Sequence, residues 1–183
     1  MLERRAFDLA DAGTYSNGRR FHGEAVVYGQ PSPLPTADGR TIYESITRGA
    51  FPETTAPLFR EHRPELLLAR NSVRLTHGET LVVEADLLDT AAAREARELV
   101  EAGELRGLSI GFLPTEPGFR WQRRGAHLHR SLESGHLAEI SLVALPAYLN
   151  TSASVRSLTI PEHLARPGRD TKRWSALLDR LSA

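Results

Sequence analysis

A serine placed between two glycines is the first feature of this chain whose residue types and spacing could support chemistry. Ser109 lies in the stretch Leu105–Leu113, with Gly107 and Gly111 on either side. Apolar residues alternate with these three, which predicts a β-strand with one buried face and with the hydroxyl on the other face. Glycine weakens a strand unless something must approach its backbone closely, so the pattern indicates an approaching substrate chain or backbone. A tight barrel strand whose glycines only relieve crowding explains the same pattern, and local spacing alone favours that interpretation.

A glutamate and a histidine elsewhere in the chain are candidate partners for this serine. Glu139 interrupts the most apolar stretch, 137–145, and alternation puts it on the same face as Ser141. An unpaired buried carboxylate is costly, so Glu139 is expected to be either solvent-facing or paired, and periodicity alone favours the solvent-facing position. His62 lies just before Arg63-Pro64, a restricted loop position where a side chain can be aimed. A serine, a histidine and a carboxylate can form an acyl-transfer triad, but nearly every soluble protein contains these residue types.

Composition excludes several other classes of site and partner. The chain has no cysteine, which rules out disulfides, thiolate zinc sites and a cysteine nucleophile, and fits a reducing compartment. No His-Glu-x-x-His spacing and no phosphate-binding glycine motif occurs, so we expect no metal and no cofactor. Lysine plus arginine and aspartate plus glutamate number 23 each, so the formal charge of zero predicts no nonspecific nucleic-acid binding. No apolar run has signal-peptide or membrane-spanning length, and we expect no membrane association and a cytosolic location.

The elements that must position these residues are many short strands and one clear helix. Asp89-Thr90 can cap a helix over Ala91–Ala102, and Gly103 ends it. Residues 1–20 are polar and carry no predicted strand, and the three prolines in 29–39 predict a loop. Strands are predicted at 21–28, 41–46, 66–68, 72–76, 81–88, 105–113, 119–124, 126–132 and 137–145. This pattern indicates a mainly β protein, a closed β-barrel surrounded by helices.

The last part of the chain has a different character. Prolines and charged residues dominate after Ser157, and Trp174–Leu181 is predicted as a short amphipathic helix. We therefore expect one domain over residues 1–156, followed by a linker and tail over 157–183 that docks on a partner, packs weakly or is removed.

Three blocks of the sequence, in order, resemble the tailed-phage prohead (head maturation) serine proteases, whose fold and mechanism are similar to those of the herpesvirus assemblins. The resemblance covers roughly residues 20 to 156, and its most specific part is the last pair of motifs. The blocks are Gly23-Glu24-Ala25 with Arg48-Gly49-Ala50-Phe51, the segment Leu58–His62, and Leu108-Ser109-Ile110-Gly111-Phe112 followed by Glu139-Ile140-Ser141-Leu142-Val143 and Pro146-Ala147.

The resemblance implies roles for individual residues. Ser109 would be the nucleophile, His62 the general base and then acid, and Glu139 the group that orients His62. The family histidine usually lies between an asparagine and an aspartate, whereas Glu61 and Arg63 flank His62 here. Because assemblins use a second histidine as the third member, His136 is a minor alternative to Glu139.

The resemblance also implies a biological setting. The protein would be a homodimeric serine endopeptidase inside the procapsid, in the host cytoplasm, that processes the major capsid protein or its scaffolding segment, and itself, during virion maturation. A rival interpretation is a non-catalytic capsid-assembly or scaffold-binding protein on the same fold. A weaker alternative is a small esterase of an unrelated barrel type.

Overall fold

The computed structural model describes residues 2–8, 19–36 and 39–144, which form twelve strands and one helix. The strands are β1 Glu3–Asp8, β2 Arg20–Val27, β3 Ser32–Pro35, β4 Thr41–Ile46, β5 Leu58–Arg60, β6 Arg63–Ala69, β7 Arg74–His77, β8 Thr80–Asp86, β9 Gly107–Pro114, β10 Phe119–Arg124, β11 His127–Leu132 and β12 Gly135–Val143. The helix α1 spans Ala91–Glu101. The strands pair into a five-stranded sheet (β1-β9-β12-β5-β6), a four-stranded sheet (β10-β11-β4-β3) and a three-stranded sheet (β2-β8-β7).

The five-stranded sheet carries all three candidate site residues. Strand β9 lies between β1 and β12 and is antiparallel to both, while β5 runs parallel to β12 on its other side. The register sets Ser109 opposite Ser141 and Gly111 opposite Glu139. Since β5 ends at Arg60, the turn that follows it brings His62 to the same sheet.

The apolar residues that alternate along β9 fix the register of this strand in the sheet. Leu108, Ile110 and Phe112 are completely buried in the main core, and each contributes roughly 1.5–3 kcal/mol through burial. A slip of one residue would turn these side chains to the wrong face, so the apolar row also fixes the register that sets Ser109 opposite Ser141.

The helix delivers the chain into β9. The Thr90 hydroxyl accepts a hydrogen bond from the Ala93 backbone N–H at 3.2 Å, which is the predicted cap. Gly103, at φ +73°, adopts the left-handed conformation that ends the helix. The helix prediction is therefore confirmed to within one residue at its end. Its buried stripe of Ala93, Ala96 and Val100 belongs to the same core as β9.

A buried ionic cluster attaches β1 to strands β4 and β11 of the four-stranded sheet. The Arg5 guanidinium binds the Glu44 carboxylate through two nitrogens, one of them at 2.9 Å, and Arg130 binds the same carboxylate at 2.5 Å. Burial raises the pKa of Glu44, but the charges and hydrogen bonds of the two arginines outweigh it and hold that pKa below its ordinary value. Removing one partner from such a buried cluster typically costs 3–5 kcal/mol, roughly, so β1 is firmly attached.

The expected mainly β fold is confirmed, but the closed barrel is not found. Within residues 2–8, 19–36 and 39–144 the strands hydrogen-bond as three separate sheets and α1 is the one helix, so helices surrounding a barrel are not part of the described structure. Periodicity predicts which residues form strands. It does not predict which strand edges pair, because pairing depends on contacts between distant segments.

Two further predictions about local structure are wrong. The polar N-terminal segment contains β1, which sequence alternation misses because ion pairs, rather than an apolar stripe, attach it. The proline-rich loop contains β3, whose Pro33 and Pro35 lie in the edge strand of the four-stranded sheet, where a missing N–H costs no ladder hydrogen bond. The predicted tail and its helix, 157–183, lie outside the described residues.

Candidate active site

A strained turn between β5 and β6 presents His62. Both Glu61 and His62 have positive φ, 51° and 59°, which is uncommon for residues other than glycine. Three hydrogen bonds hold the turn: Glu61 N–H to the Leu142 carbonyl at 2.9 Å, Ala144 N–H to the Glu61 carboxylate at 2.6 Å, and His62 N–H to the Ser141 hydroxyl at 3.2 Å. The histidine backbone is therefore attached to the end of β12, the strand that carries Glu139.

The structure brings His62 and Glu139 into direct contact. The imidazole Nδ1 lies 2.7 Å from Glu139 Oε1, and both side chains are mostly buried. A carboxylate only accepts hydrogen bonds, so Nδ1 carries the proton and donates, and in the neutral ring Nε2 is left as an acceptor. Within the described residues, Nε2 has no hydrogen-bond partner. This is the tautomer that a general base needs.

The Glu139 carboxylate is held in its charged form. Burial raises its pKa, but hydrogen bonds from His62 and Ser141, together with the charges of His62 and Arg4, outweigh burial and lower the pKa below its ordinary value. The Arg4 contact is a long one, 3.5 Å from Nε to Oε1. Glu139 is therefore paired and buried, and the solvent-facing position favoured by periodicity is wrong.

Gly111 provides the space in which the Glu139 side chain lies. A Cβ at this position would be 2.5 Å from Glu139 Oε1 and 2.8 Å from its Cγ. Real Cβ atoms do not approach other atoms so closely, so a larger residue would displace the carboxylate. At Gly111 the closely approaching group is a side chain of the neighbouring strand, and not the substrate chain or backbone predicted from the glycines.

Ser109 lies on the same sheet but does not contact the histidine directly. Its side chain is fully buried, and its hydroxyl donates to the Arg5 backbone carbonyl of β1 at 3.0 Å. Its Cα is paired with that of Ser141, and directly opposed residues in antiparallel strands have Cα atoms about 4.5–5.5 Å apart. The structure therefore brings together His62 and Glu139. Ser109 lies on β9, the strand next to that of Glu139, and its hydroxyl is directed to β1.

The alternative histidine lies outside this cluster. His136 is exposed, and its Nδ1 lies 2.6 Å from the carboxylate of Glu53. It is on β12 three residues before Glu139, but a register shift between Leu137 and Glu139 interrupts the strand between them. Glu139, and not His136, occupies the position next to His62.

For Ser141 the sequence predicts only that it shares a strand face with Glu139. The structure shows it fully buried, with its hydroxyl donating to Glu139 Oε2 at 2.6 Å. The signal in the sequence is the spacing of two residues on one strand, which places both side chains on the same face. The contact from Ser141 to the His62 backbone has no counterpart in the sequence, because it joins residues 79 positions apart.

A cavity of about 290 Å³ lies beside the His62 turn. It lies between the turn and α1, and its wall includes Arg60, Glu61, Arg63, Leu66, Leu99 and Ala144.

The described residues contain no group of three or more histidine, aspartate or glutamate side chains arranged to hold a metal ion. In the same part of the chain, no helix has the length and apolar character needed to cross a membrane.

One comparison with known proteins gives a family match. The family model of the caudovirus prohead serine proteases matches residues 6–166, a range that contains the serine, the histidine and the glutamate discussed above. Searches of curated proteins and of solved structures return no significant match. Because the family model covers most of the sequence, this chain belongs to the caudovirus prohead serine protease family.

Proposed function

We propose that this protein is a serine endopeptidase that processes scaffold or capsid protein inside a phage procapsid in the host cytoplasm, with Ser109, His62 and Glu139 as its catalytic residues. The observation that carries the proposal is the buried contact between His62 Nδ1 and Glu139, which leaves Nε2 as a proton acceptor. Glu139 lies on β12, the strand paired with the one that carries Ser109. Family membership provides the reaction class.

The proposed reaction follows from the tautomer of the imidazole. His62 Nε2 takes the proton of the Ser109 hydroxyl as the oxygen attacks the peptide carbonyl, and Glu139 stabilises the imidazolium that forms. The imidazolium then gives this proton to the leaving amine, and an acyl-enzyme remains. A water molecule, deprotonated by the same nitrogen, hydrolyses the ester and restores the serine.

Catalysis in this scheme requires changes around Ser109. The Ser109 hydroxyl donates to the Arg5 carbonyl in the described arrangement, so it must turn about its Cα–Cβ bond towards the imidazole before it can react. Side-chain rotations of this kind are fast relative to peptide hydrolysis. A substrate strand must also reach a serine that is fully buried here.

The substrate and partners in this proposal are those of the prohead setting. The major capsid protein or its scaffolding segment is the substrate, the active form is a homodimer, and the tail over 157–183 is removed by self-cleavage or docks on capsid protein. Confinement within a shell raises the effective concentration of substrate, so modest affinity is sufficient there.

The test is co-expression of the protein with its capsid protein, followed by measurement of scaffold processing on gels. We expect Ser109→Ala to lower the processing rate by at least about 1,000-fold, because the nucleophile is lost. The matched control is Ser131→Ala, which removes a strand hydroxyl whose partner is Ser45 at 3.0 Å, in the four-stranded sheet. Processing by Ser109→Ala at the wild-type rate would contradict the proposal.

A non-catalytic assembly factor is the second candidate, and one observation favours it. The Ser109 hydroxyl is buried and already hydrogen-bonded to β1, as expected for a serine with a structural role. A serine-directed fluorophosphonate distinguishes the two candidates. Labelling at Ser109 in co-expressed particles supports the peptidase, and its absence across pH and all stages of assembly supports the binding protein.

A further inference from the structure

Ser141 connects two of the proposed catalytic residues through a single hydroxyl group. Its oxygen accepts a hydrogen bond from the His62 backbone N–H at 3.2 Å, and its proton is donated to Glu139 Oε2 at 2.6 Å. A hydroxyl has one donor and two acceptor positions, so both contacts can exist together. The side chain is fully buried, and water is therefore a poor substitute for it.

The first contact matters because the His62 backbone is strained. Non-glycine residues in sparsely populated backbone regions cost of order 1–3 kcal/mol each and persist only where their surroundings enforce them. Two of the three hydrogen bonds in the turn hold Glu61, from Leu142 and Ala144. Among the described residues, the Ser141 hydroxyl is the group that binds the backbone N–H of His62 itself.

The second contact matters because it fixes the plane of the Glu139 carboxylate. Oε1 receives His62 Nδ1, and Oε2 receives Ser141. A carboxylate with a partner on each oxygen cannot rotate freely, so the direction of the His62 hydrogen bond is set. Without the hydroxyl, both the carboxylate and the histidine backbone lose a partner at the same time.

We propose that Ser141 is a positioning residue, which aims the His62 imidazole at Ser109 by holding both the histidine backbone and the Glu139 carboxylate. This inference rests on the proposed function, because it presupposes that His62 acts on Ser109. It adds a fourth residue to the site, one that touches neither the substrate nor the reacting atoms.

The test compares Ser141→Ala with wild type, using the rate of Ser109 labelling by a fluorophosphonate in co-expressed particles. We expect the maximal labelling rate to fall by about 10- to 100-fold while the probe's half-saturating concentration stays within a factor of two, since misplacing a catalytic group by about 1 Å can cost 10²-fold. A serine that only stabilised the fold would change the amount of folded protein, and not the rate at which the folded protein is labelled.

Two further variants complete the test. Ser141→Thr retains the hydroxyl and should recover most of the rate, whereas Ser131→Ala should label like wild type. If Ser141→Ala does not fold, Ser141→Cys replaces it, because the thiol is a weak donor of similar shape, and we expect a labelling rate below that of wild type.

The failures of the two proposals are distinguishable. Wild-type activity in Ser109→Ala overturns the peptidase itself. Loss of activity in Ser109→Ala, together with a wild-type labelling rate in folded Ser141→Ala or Ser141→Cys, overturns only the role of Ser141.

Discussion

Two glutamate–histidine pairs each have one member on β12, and they differ in burial and in the contacts around the carboxylate. Glu139 and His62 are 2.7 Å apart with side chains 8% and 19% exposed. Glu53 and His136 are 2.6 Å apart with side chains 17% and 57% exposed. Both contacts use Nδ1, so the local geometry of the imidazole does not distinguish a candidate catalytic pair from a surface pair.

The surroundings of the carboxylate make the difference. The second oxygen of Glu139 receives the Ser141 hydroxyl, whereas Oε2 of Glu53 is buried and has no hydrogen-bond partner among the described residues. The His62 backbone is attached to β12 and its imidazole is mostly covered, while the imidazole of His136 is open to solvent. A catalytic pair requires a hydrogen bond of fixed direction, and the contacts around the pair set that direction.

The largest expected effect comes from Glu139→Gln. An amide can donate to Nδ1 as well as accept from it, which permits the wrong tautomer, so we expect fluorophosphonate labelling of Ser109 to slow by about 10³- to 10⁴-fold. Glu53→Gln is the matched control on the other pair and should label within a factor of two of wild type. Equal losses in both variants would remove the distinction between the pairs.

A smaller effect is expected from Gly111→Ala, a substitution that changes none of the proposed catalytic residues themselves. The added Cβ would lie 2.5 Å from Glu139 Oε1, so the carboxylate must move away from His62, and we expect labelling to slow by about 100-fold. Gly78→Ala is the control, because its Cβ would be 3.9 Å from the nearest atom. A wild-type labelling rate in Gly111→Ala would show that the position of Glu139 is not critical.

The pH dependence of stability should also report on the Glu139 pair. Because the folded-state pKa of Glu139 is lowered, its contribution is complete above the unfolded value of about 4.3 and is lost as the pH falls through the folded pKa. The difference in unfolding free energy between wild type and Glu139→Gln should therefore shrink as the pH falls below about 4. Denaturant unfolding at a series of pH values measures this difference, and a constant difference would contradict the assignment.

The smallest effect is expected from His136→Ala. This side chain is exposed and contacts Glu53 instead of the site, so labelling of Ser109 should stay within a factor of two of wild type. A loss of about 100-fold or more would instead return His136 to the site as the third catalytic member.

Local sequence patterns predict the strand that carries Ser109 and the helix that leads into it, and the motifs around Ser109 and Glu139 indicate the protease family. These signals are local, because the alternation of Leu108, Ile110 and Phe112 and the cap at Thr90 depend on neighbouring residues. The attachment of β1 through Arg5 and Glu44 could not be predicted in this way, since periodicity does not detect a polar strand attached by ion pairs.

Tertiary packing, and no local pattern, turns Glu139 towards His62 instead of solvent, leaves space for it at Gly111, and brings Ser141 into contact with both. Each of these contacts joins segments that are distant in the sequence or on adjacent strands, and their geometry follows from strand register and packing. A residue type indicates which chemistry is possible at a position. The direction of a side chain and the energy of its charge depend on neighbours that folding brings together.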